Sequence, residues 1–300
     1  MAIADGDREL GPHVTVLAGS RGGKYPDGNA LLVRGKHETA LIDPALAVRP
    51  RAPALAPVHH VLNSHVHEDH VAGNSAFPEA CWHVPAADRL GIVSLDGLMT
   101  MYGFDPAAEA AFRRAVEQEF HYTARPDART FDDGAVFDLG GVQIRAIHTP
   151  GHTRGHSCFH IVPDDVLYLG DIDLSSFGPY YGDAWSCLED FERTLAQVAR
   201  IAARWYATFH HIGVLEGRQA FLERLERFAA VIQRREAALC DFLRVPRSLG
   251  DIVAHRFVYR PGDAVPFADA VERRSMGQHL ERLVRAGRVV ALADARFVLA

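Results

Sequence analysis

The chain has 300 residues, 48% of them hydrophobic and 23% charged, with a formal net charge of −6. That balance is ordinary for a folded chain in water, and the length suits a large core plus a small second unit. It excludes a bundle of membrane spans, because no apolar run approaches the roughly 20 residues that a bilayer demands.

The start, Met1 to Glu9, is acidic and lacks the basic-then-apolar order of a signal peptide, so a cytoplasmic location is expected. Val58 to Ser64 is an apolar, strand-like stretch, and it runs straight into His65-Val66-His67-Glu68-Asp69-His70. A strand that ends in a loop turns His65 and His67 toward one point, and Asp69 and His70 then reach a second point close by. Imidazoles mixed with carboxylates are the usual make-up of a hydrolytic metal site. His59 and His60, inside the strand, read as structural histidines.

Residues 96–129 interrupt the strand pattern with a mainly helical segment, clearest over Pro106 to Phe120. Met99, Met101, Tyr102 and Phe104 there line a substrate entrance or belong to the core. Val142 to His148 alternates like a strand, and Pro150-Gly151 ends it in a turn with His152 at the tip. His148 and His156 are neighbouring imidazoles read as supporting or exposed groups. Val166 to Leu169 is a short strand stopped by Gly170 and capped by Asp171, with Asp173 as a rival carboxylate. Ser175 to Asp183 is an aromatic, Gly/Pro-rich loop, the kind of segment that contacts substrates. Trp205 to His211 is a last aromatic strand, ending in two imidazoles.

Gly217 to Leu243 has the apolar spacing of one long amphipathic helix, and Pro246 marks a boundary. Beyond it come a short helix near Ser248–Ala254, a second over Asp269–Gly287, and two short strands within Arg288–Leu299: the outline of a winged helix. Two domains are therefore expected, at 1–245 and 246–300. Arginine exceeds acid slightly in the tail, and Arg282, Arg285 and Arg288 recur at helical spacing. They form a solvated helix face or a nucleic-acid contact; a packing or dimerisation role for the tail, and hence a homo-oligomer, is the expectation. Cys81, Cys158, Cys187 and Cys240 form no paired motif and read as buried small apolar residues.

The set HVHEDH, TPGHT, LGD and a late strand-terminal histidine resembles the metallo-β-lactamase superfamily, whose signature is H-x-H-x-D-H, over about residues 10–240. Asn29–Val33 and Thr39–Pro44 look like its opening strands. The resemblance implies an α/β fold, the αβ/βα sandwich of two mixed sheets, with a dinuclear site at one edge. It assigns His65, His67 and His152 to one metal and Asp69, His70 and the late histidine to the other, with Asp171 bridging. The late ligand is His210, with His211 as the fallback.

Two divalent ions about 3.5–4 Å apart share a hydroxide and make a nucleophile at neutral pH. Zinc is the foremost expectation, and iron and manganese suit the same donors. Asp69 is the expected catalytic residue, orienting the nucleophile and passing a proton. The expected activity is hydrolysis of a small ester, thioester or lactone. The alternatives are an RNA phosphodiesterase using the same centre and the tail, and a non-hydrolytic metal-binding sensor.

Overall fold

A computed structural model describes residues 6–263 and 265–300. Met1 to Asp5, part of the acidic start, lie outside them.

Among the described residues, one seven-stranded sheet runs in chain order: β1 (Arg8–Glu9), β2 (Val14–Leu17), β3 (Ala30–Arg34), β4 (Thr39–Ile42), β5 (His60–Leu62), β6 (Cys81–Pro85) and β7 (Arg129–Phe131). A second sheet of six holds β8 (Val136–Asp138), β9 (Gln143–His148), β10 (Ser157–Val162), β11 (Val166–Tyr168), β12 (Trp205–Ala207) and β13 (Val214–Glu216), ordered β13-β12-β11-β10-β9-β8. Both sheets are mixed: β4 to β7 pair in parallel, as do β11 and β12, and the remaining pairs are antiparallel.

Strand β3 explains the layering. Leu31 and Val33 join the core between the sheets, whereas Ala30 and Leu32 join the core on the outer side. A strand buried on both faces reads as a continuous apolar run, as this one does. Helices α1 (Ala52–Leu55), α2 (Arg89–Val93), α3 (Leu95–Tyr102) and α4 (Pro106–Gln118) cover the first sheet, with Trp82, Met99, Phe112 and Val116 packed together. Asp105 caps α4 by accepting from the amides of Ala107 and Ala108, with Pro106 at the first helical position. Helices α5 (Leu188–Val198) and α6 (Arg218–Phe242) cover the second sheet through Phe191, Leu195, Phe221 and Phe228. The result is the αβ/βα sandwich.

After α6 come β14 (Arg247–Ser248), α7 (Leu249–His255), α8 (Ala268–Arg285), β15 (Val289–Ala291) and β16 (Arg296–Leu299). The three strands pair in the order β14-β16-β15. They share a small core of Leu239, Leu243, Ile252, Met276, Leu280, Leu283 and Val289. Helix α8 is tied to the sandwich: Gln278 Oε1 accepts from the Leu188 amide at 2.6 Å, and Gln278 Nε2 donates to the Tyr181 carbonyl at 2.9 Å.

One expectation is filled in here and another needs correction. Arg282, Arg285 and Arg288 lie on a partly solvated face, Arg285 and Arg288 exposed, and each pairs with an acid: Arg282 with Glu192 and Glu236, Arg285 with Glu189, and Arg288 with Glu236. Helical spacing reveals a shared face, but the acids of α5 and α6 that meet it are remote in sequence. Of the four cysteines only Cys158 is fully buried; Cys81, Cys187 and Cys240 are half-buried, and all four are free thiols. Met99, Met101, Tyr102 and Phe104, left between entrance and core, are core residues, and Tyr102 also borders the histidine cluster, its ring stacked on His67.

Candidate metal centre

The parallel strand β5 delivers the histidine-rich run into a loop that is locked from within. Asn63 and Asn74 exchange amide hydrogen bonds, at 3.3 and 2.8 Å, and Asn63 Nδ2 also donates to the His70 carbonyl at 2.8 Å. The turn after β9 passes so close to α5 that a Cβ on Gly151, at φ 130°, would overlap the backbone of Phe191; only glycine fits there. Asp88 holds that turn, accepting from Thr153 Oγ1 at 2.6 Å and from the Gly155 amide at 2.7 Å. Just past strand β11 comes Gly170, φ 53°, where a side chain would meet His156. Just past β12 comes Phe209, whose ring stacks on His70 at 3.7 Å.

These four chain ends converge. Donor atoms of His65, His67, His152 and Asp171 form one group, and those of Asp69, His70 and His210 a second, each within 4.8 Å. Asp171 spans both: Oδ2 is 3.2 Å from His152 Nε2, and Oδ1 is 2.9 Å from His70 Nε2 and 3.8 Å from His210 Nε2. Asp69 Oδ2 is 3.0 Å from His210 Nε2. The structure thus brings every expected ligand together. His211, the fallback, is exposed. Asp173 closes a local turn by accepting from the Ser175 amide at 3.0 Å.

The far nitrogens of the rings are equally organised. Asp43 Oδ2 accepts from His70 Nδ1 at 2.8 Å, the Tyr180 carbonyl faces His152 Nδ1 at 3.0 Å, and the Gly23 carbonyl faces His210 Nδ1 at 2.9 Å. Ser64 Oγ is 3.0 Å from His65 Nδ1. His67 turns Nδ1 to His152 Nε2, at 3.0 Å, and Nε2 toward Asp183 Oδ2, at 3.3 Å. Such partners fix each ring's tautomer and direction, so that the other nitrogen is free for a cation.

Does the donor set fit divalent metal? His65 Nε2 is buried with no hydrogen-bond partner among the described residues. An orphaned buried nitrogen costs about 1–3 kcal/mol unless something satisfies it. Burial, then the imidazoles of His70, His67 and His152, push His65 well below the usual histidine range, so it is a neutral donor. Two ligands on one tetrahedral zinc ion stand about 3.4 Å apart, close to the His67–His152 and His152–Asp171 separations. Burial works against charge at His70 too, but Asp171, Asp43 and Asp69 hold it well above the usual range, marking the strongly anionic side. Imidazoles around shared carboxylates, with the buried Nε2 of His65 left unpartnered among the described residues, fit a pair of divalent cations.

A tyrosine-carboxylate group adjoins the first cluster. Glu68, buried, accepts from Tyr25 Oη at 2.9 Å and from Tyr102 Oη. Burial and the Asp69 charge push its carboxyl up to about 7. The Tyr102 ring stacks on His67 at 4.9 Å, and Tyr180 Oη donates to Asp183 Oδ1 at 2.9 Å. Sequence reading placed Asp43 and Asp183 only within a strand end and a loop, and gave Tyr25, Ser64 and Asp88 no role. A carboxylate that sits at another strand end or on a distant loop from the histidine it orients leaves no spacing signal. His156 is a supporting group: its Nε2 accepts from the Asp171 amide at 3.1 Å.

A profile of the metallo-beta-lactamase superfamily matches residues 25–229. A hydroxyacylglutathione hydrolase of Methylococcus capsulatus is 31% identical over 242 residues, covering 76% of this chain and 79% of that protein. An acyl-coenzyme A thioesterase of Gallus gallus is 28% identical over 166 residues, covering 49% of this chain and 59% of that protein. Among solved structures, a metallo-beta-lactamase family protein from Thermus thermophilus superposes with a TM-score of 0.73 at 24% identity, covering 97% of this chain and 100% of that one.

Proposed function

The chain belongs to the metallo-beta-lactamase superfamily of hydrolases, and on that premise we propose that it cleaves a small thioester with a pair of divalent metal ions. His65, His67 and His152 would hold the first ion and Asp69, His70 and His210 the second, with Asp171 within reach of both groups. The observation that carries this reading is the two-sided reach of Asp171 between otherwise separate ligand groups. The relatives named above support a thioester over a lactone or simple ester.

Divalent cations at these positions supply Lewis-acid polarisation of a carbonyl and a nucleophile drawn from water at neutral pH, with zinc the foremost choice. Asp69 takes the proton of the attacking water on its carboxylate. The new C–O bond forms at the acyl carbon, the C–S bond breaks, and the thiol leaves with a proton, giving a carboxylic acid and a thiol. Tyr25, Tyr102 and Glu68 wall the site and keep bulk water away from the first cluster. Residues 246–300 are a second domain of winged-helix type that closes one side. No described helix is long and apolar enough to cross a membrane, and a small-molecule substrate suits the centre.

An RNA phosphodiesterase would draw on the basic tail, but Arg282, Arg285 and Arg288 are engaged with acids of α5 and α6. A sensor would not need seven converging ligands. The test is a substrate panel of S-lactoylglutathione, acetyl-coenzyme A, simple lactones and single-stranded RNA. Thioester hydrolysis well above the rest is expected; RNA cleavage alone would overturn the reading.

A further inference from the structure

A cavity of about 600 Å3 opens between the loop after Asp171, helix α6 and residues 255–263. Its wall carries Arg234, Arg235, Arg256 and Arg260, the rings of Phe177 and Phe257, and one acid, Asp263. Four guanidinium groups around one hollow are out of keeping with a chain of net charge −6.

Arginines along a helix are usually solvated and need no ligand, so the partners decide. Arg235 is buried, and its Nη1 and Nη2 donate to the carbonyls of Pro179 and Phe177 at 2.6 and 2.8 Å. Those acceptors are neutral, and no carboxylate pairs with Arg235 among the described residues. Arg256 pairs with Asp269 through Nη2, but its Nη1 is buried with no hydrogen-bond partner among the described residues. Arg234 and Arg260 are exposed, and neither guanidinium has a partner among the described residues. Asp263 offsets one of the four positive charges and Asp269, paired with Arg256, another. Positive charge in the hollow is therefore left unbalanced.

The wall is built rather than loose. The buried carboxylate of Glu272 accepts from the amides of Phe257, Val258 and Tyr259 at 3.0, 2.9 and 2.8 Å. That anchor sets Tyr259 against Phe177, ring to ring at 5.8 Å, so the cavity's aromatic edge continues into Tyr259. The loop that Arg235 holds leads on to the metal centre: Arg235 Nη1 donates to the Pro179 carbonyl at 2.6 Å, and the next carbonyl, that of Tyr180, faces His152 Nδ1 at 3.0 Å. The cationic hollow and the ligand cluster thus border one loop, Phe177 to Tyr180.

We propose that this cavity seats a phosphate-bearing, nucleotide-like carrier arm of the thioester, with the acyl–sulfur end passing along the Phe177–Tyr180 loop to the metal centre. This rests on the thioester reading above. Guanidinium forks match phosphate oxygens in a bidentate way, and the phenyl rings offer faces for a flat base. The C-terminal segment thereby selects the substrate, while the sandwich does the chemistry.

The test compares kcat/KM for acetyl-coenzyme A with that for S-acetylpantetheine, which lacks the nucleotide, in the wild type and in Arg234→Gln/Arg260→Gln. Each charge-assisted contact worth about 1.4 kcal/mol gives about tenfold, so the wild-type ratio is expected near a hundredfold and the variant's at least tenfold lower. Calorimetric binding of adenosine 3′,5′-bisphosphate should weaken in parallel, and Arg234→Lys/Arg260→Lys should recover part of it. A wild-type ratio near one, or a ratio that the variant does not change, overturns the proposal. So does an Arg-dependent preference for S-lactoylglutathione, which would give the hollow to a peptide carboxylate. Arg-dependent binding of a single-stranded oligoribonucleotide without thioester discrimination overturns it as well. If no thioester is cleaved by metal-loaded protein, the functional reading fails instead, and bisphosphate binding then decides the pocket alone.

Discussion

Asp183 faces His67 from the side opposite the metal cluster: its Oδ2 lies 3.3 Å from Nε2, while Nδ1 of the same ring turns to His152. This carboxylate on a loop between β11 and α5 is what points a histidine from the end of β5. Replacing such a partner weakens metal affinity about 10–100-fold. Asp183→Asn is expected to show that loss in competition with a chromophoric chelator, with an unchanged circular-dichroism spectrum.

Asp43 plays the same part for His70 with more at stake. It accepts from the Ser64 amide and Oγ at 2.7 and 2.5 Å, from His70 Nδ1 at 2.8 Å and from Tyr168 Oη at 2.8 Å. Removing one charged member of a buried network costs about 3–5 kcal/mol. Asp43→Ala is expected to lose that much in urea unfolding, together with the second metal. An unchanged midpoint would contradict the role given to it.

Gly28 sits under Phe209, and a Cβ there would overlap the ring that stacks on His70. Overpacking of this kind costs about 1–3 kcal/mol. Gly28→Ala is expected to lower the melting temperature and to loosen the His210 end of the site, seen as preferential loss of one metal equivalent.

Acid should weaken the attachment of α8 to α6 in a defined window. The hydrogen bond from His279 Nδ1 and the Arg282 guanidinium hold Glu236 down at about 2, against an ordinary 4.5. A carboxyl depressed in the folded state adds stability that is complete above 4.5 and lost as pH falls toward about 2. The urea-midpoint gap between wild type and Glu236→Gln is thus expected to be widest near neutrality and to close as pH falls from 4.5 toward 2. A gap independent of pH would contradict it. His279 completes the arrangement as a neutral ring: burial lowers it, and its Nε2 lies 2.9 Å from Tyr181 Oη.

How much of this was legible beforehand divides along one line. His65, His67, Asp69 and His70 are adjacent in the chain, and His152, Asp171 and His210 each end an apolar strand, so pattern alone pointed to them. The layers came from the resemblance; runs such as Ala30–Val33, apolar on both faces, agree with them. Asp43, Asp183 and Asp88 act across the sandwich on residues 27, 116 and 65–67 positions away, and no local spacing records such contacts. The tail arginines show the same limit from the other side. Their helical spacing announced a face, yet only the fold reveals that acids of α5 and α6 cover it. Glu272 and Tyr259 gave no signal, since their roles depend on where the tail docks.

The most direct test is metal content measured beside thioester hydrolysis. Protein purified without added metal should hold about two divalent ions per chain, and His210→Ala should hold about one. Chelation should abolish hydrolysis of S-lactoylglutathione or acetyl-coenzyme A, and added zinc, iron or manganese should restore it. Full hydrolysis by metal-free protein, or a correctly folded chain that retains no divalent ion, would contradict the account.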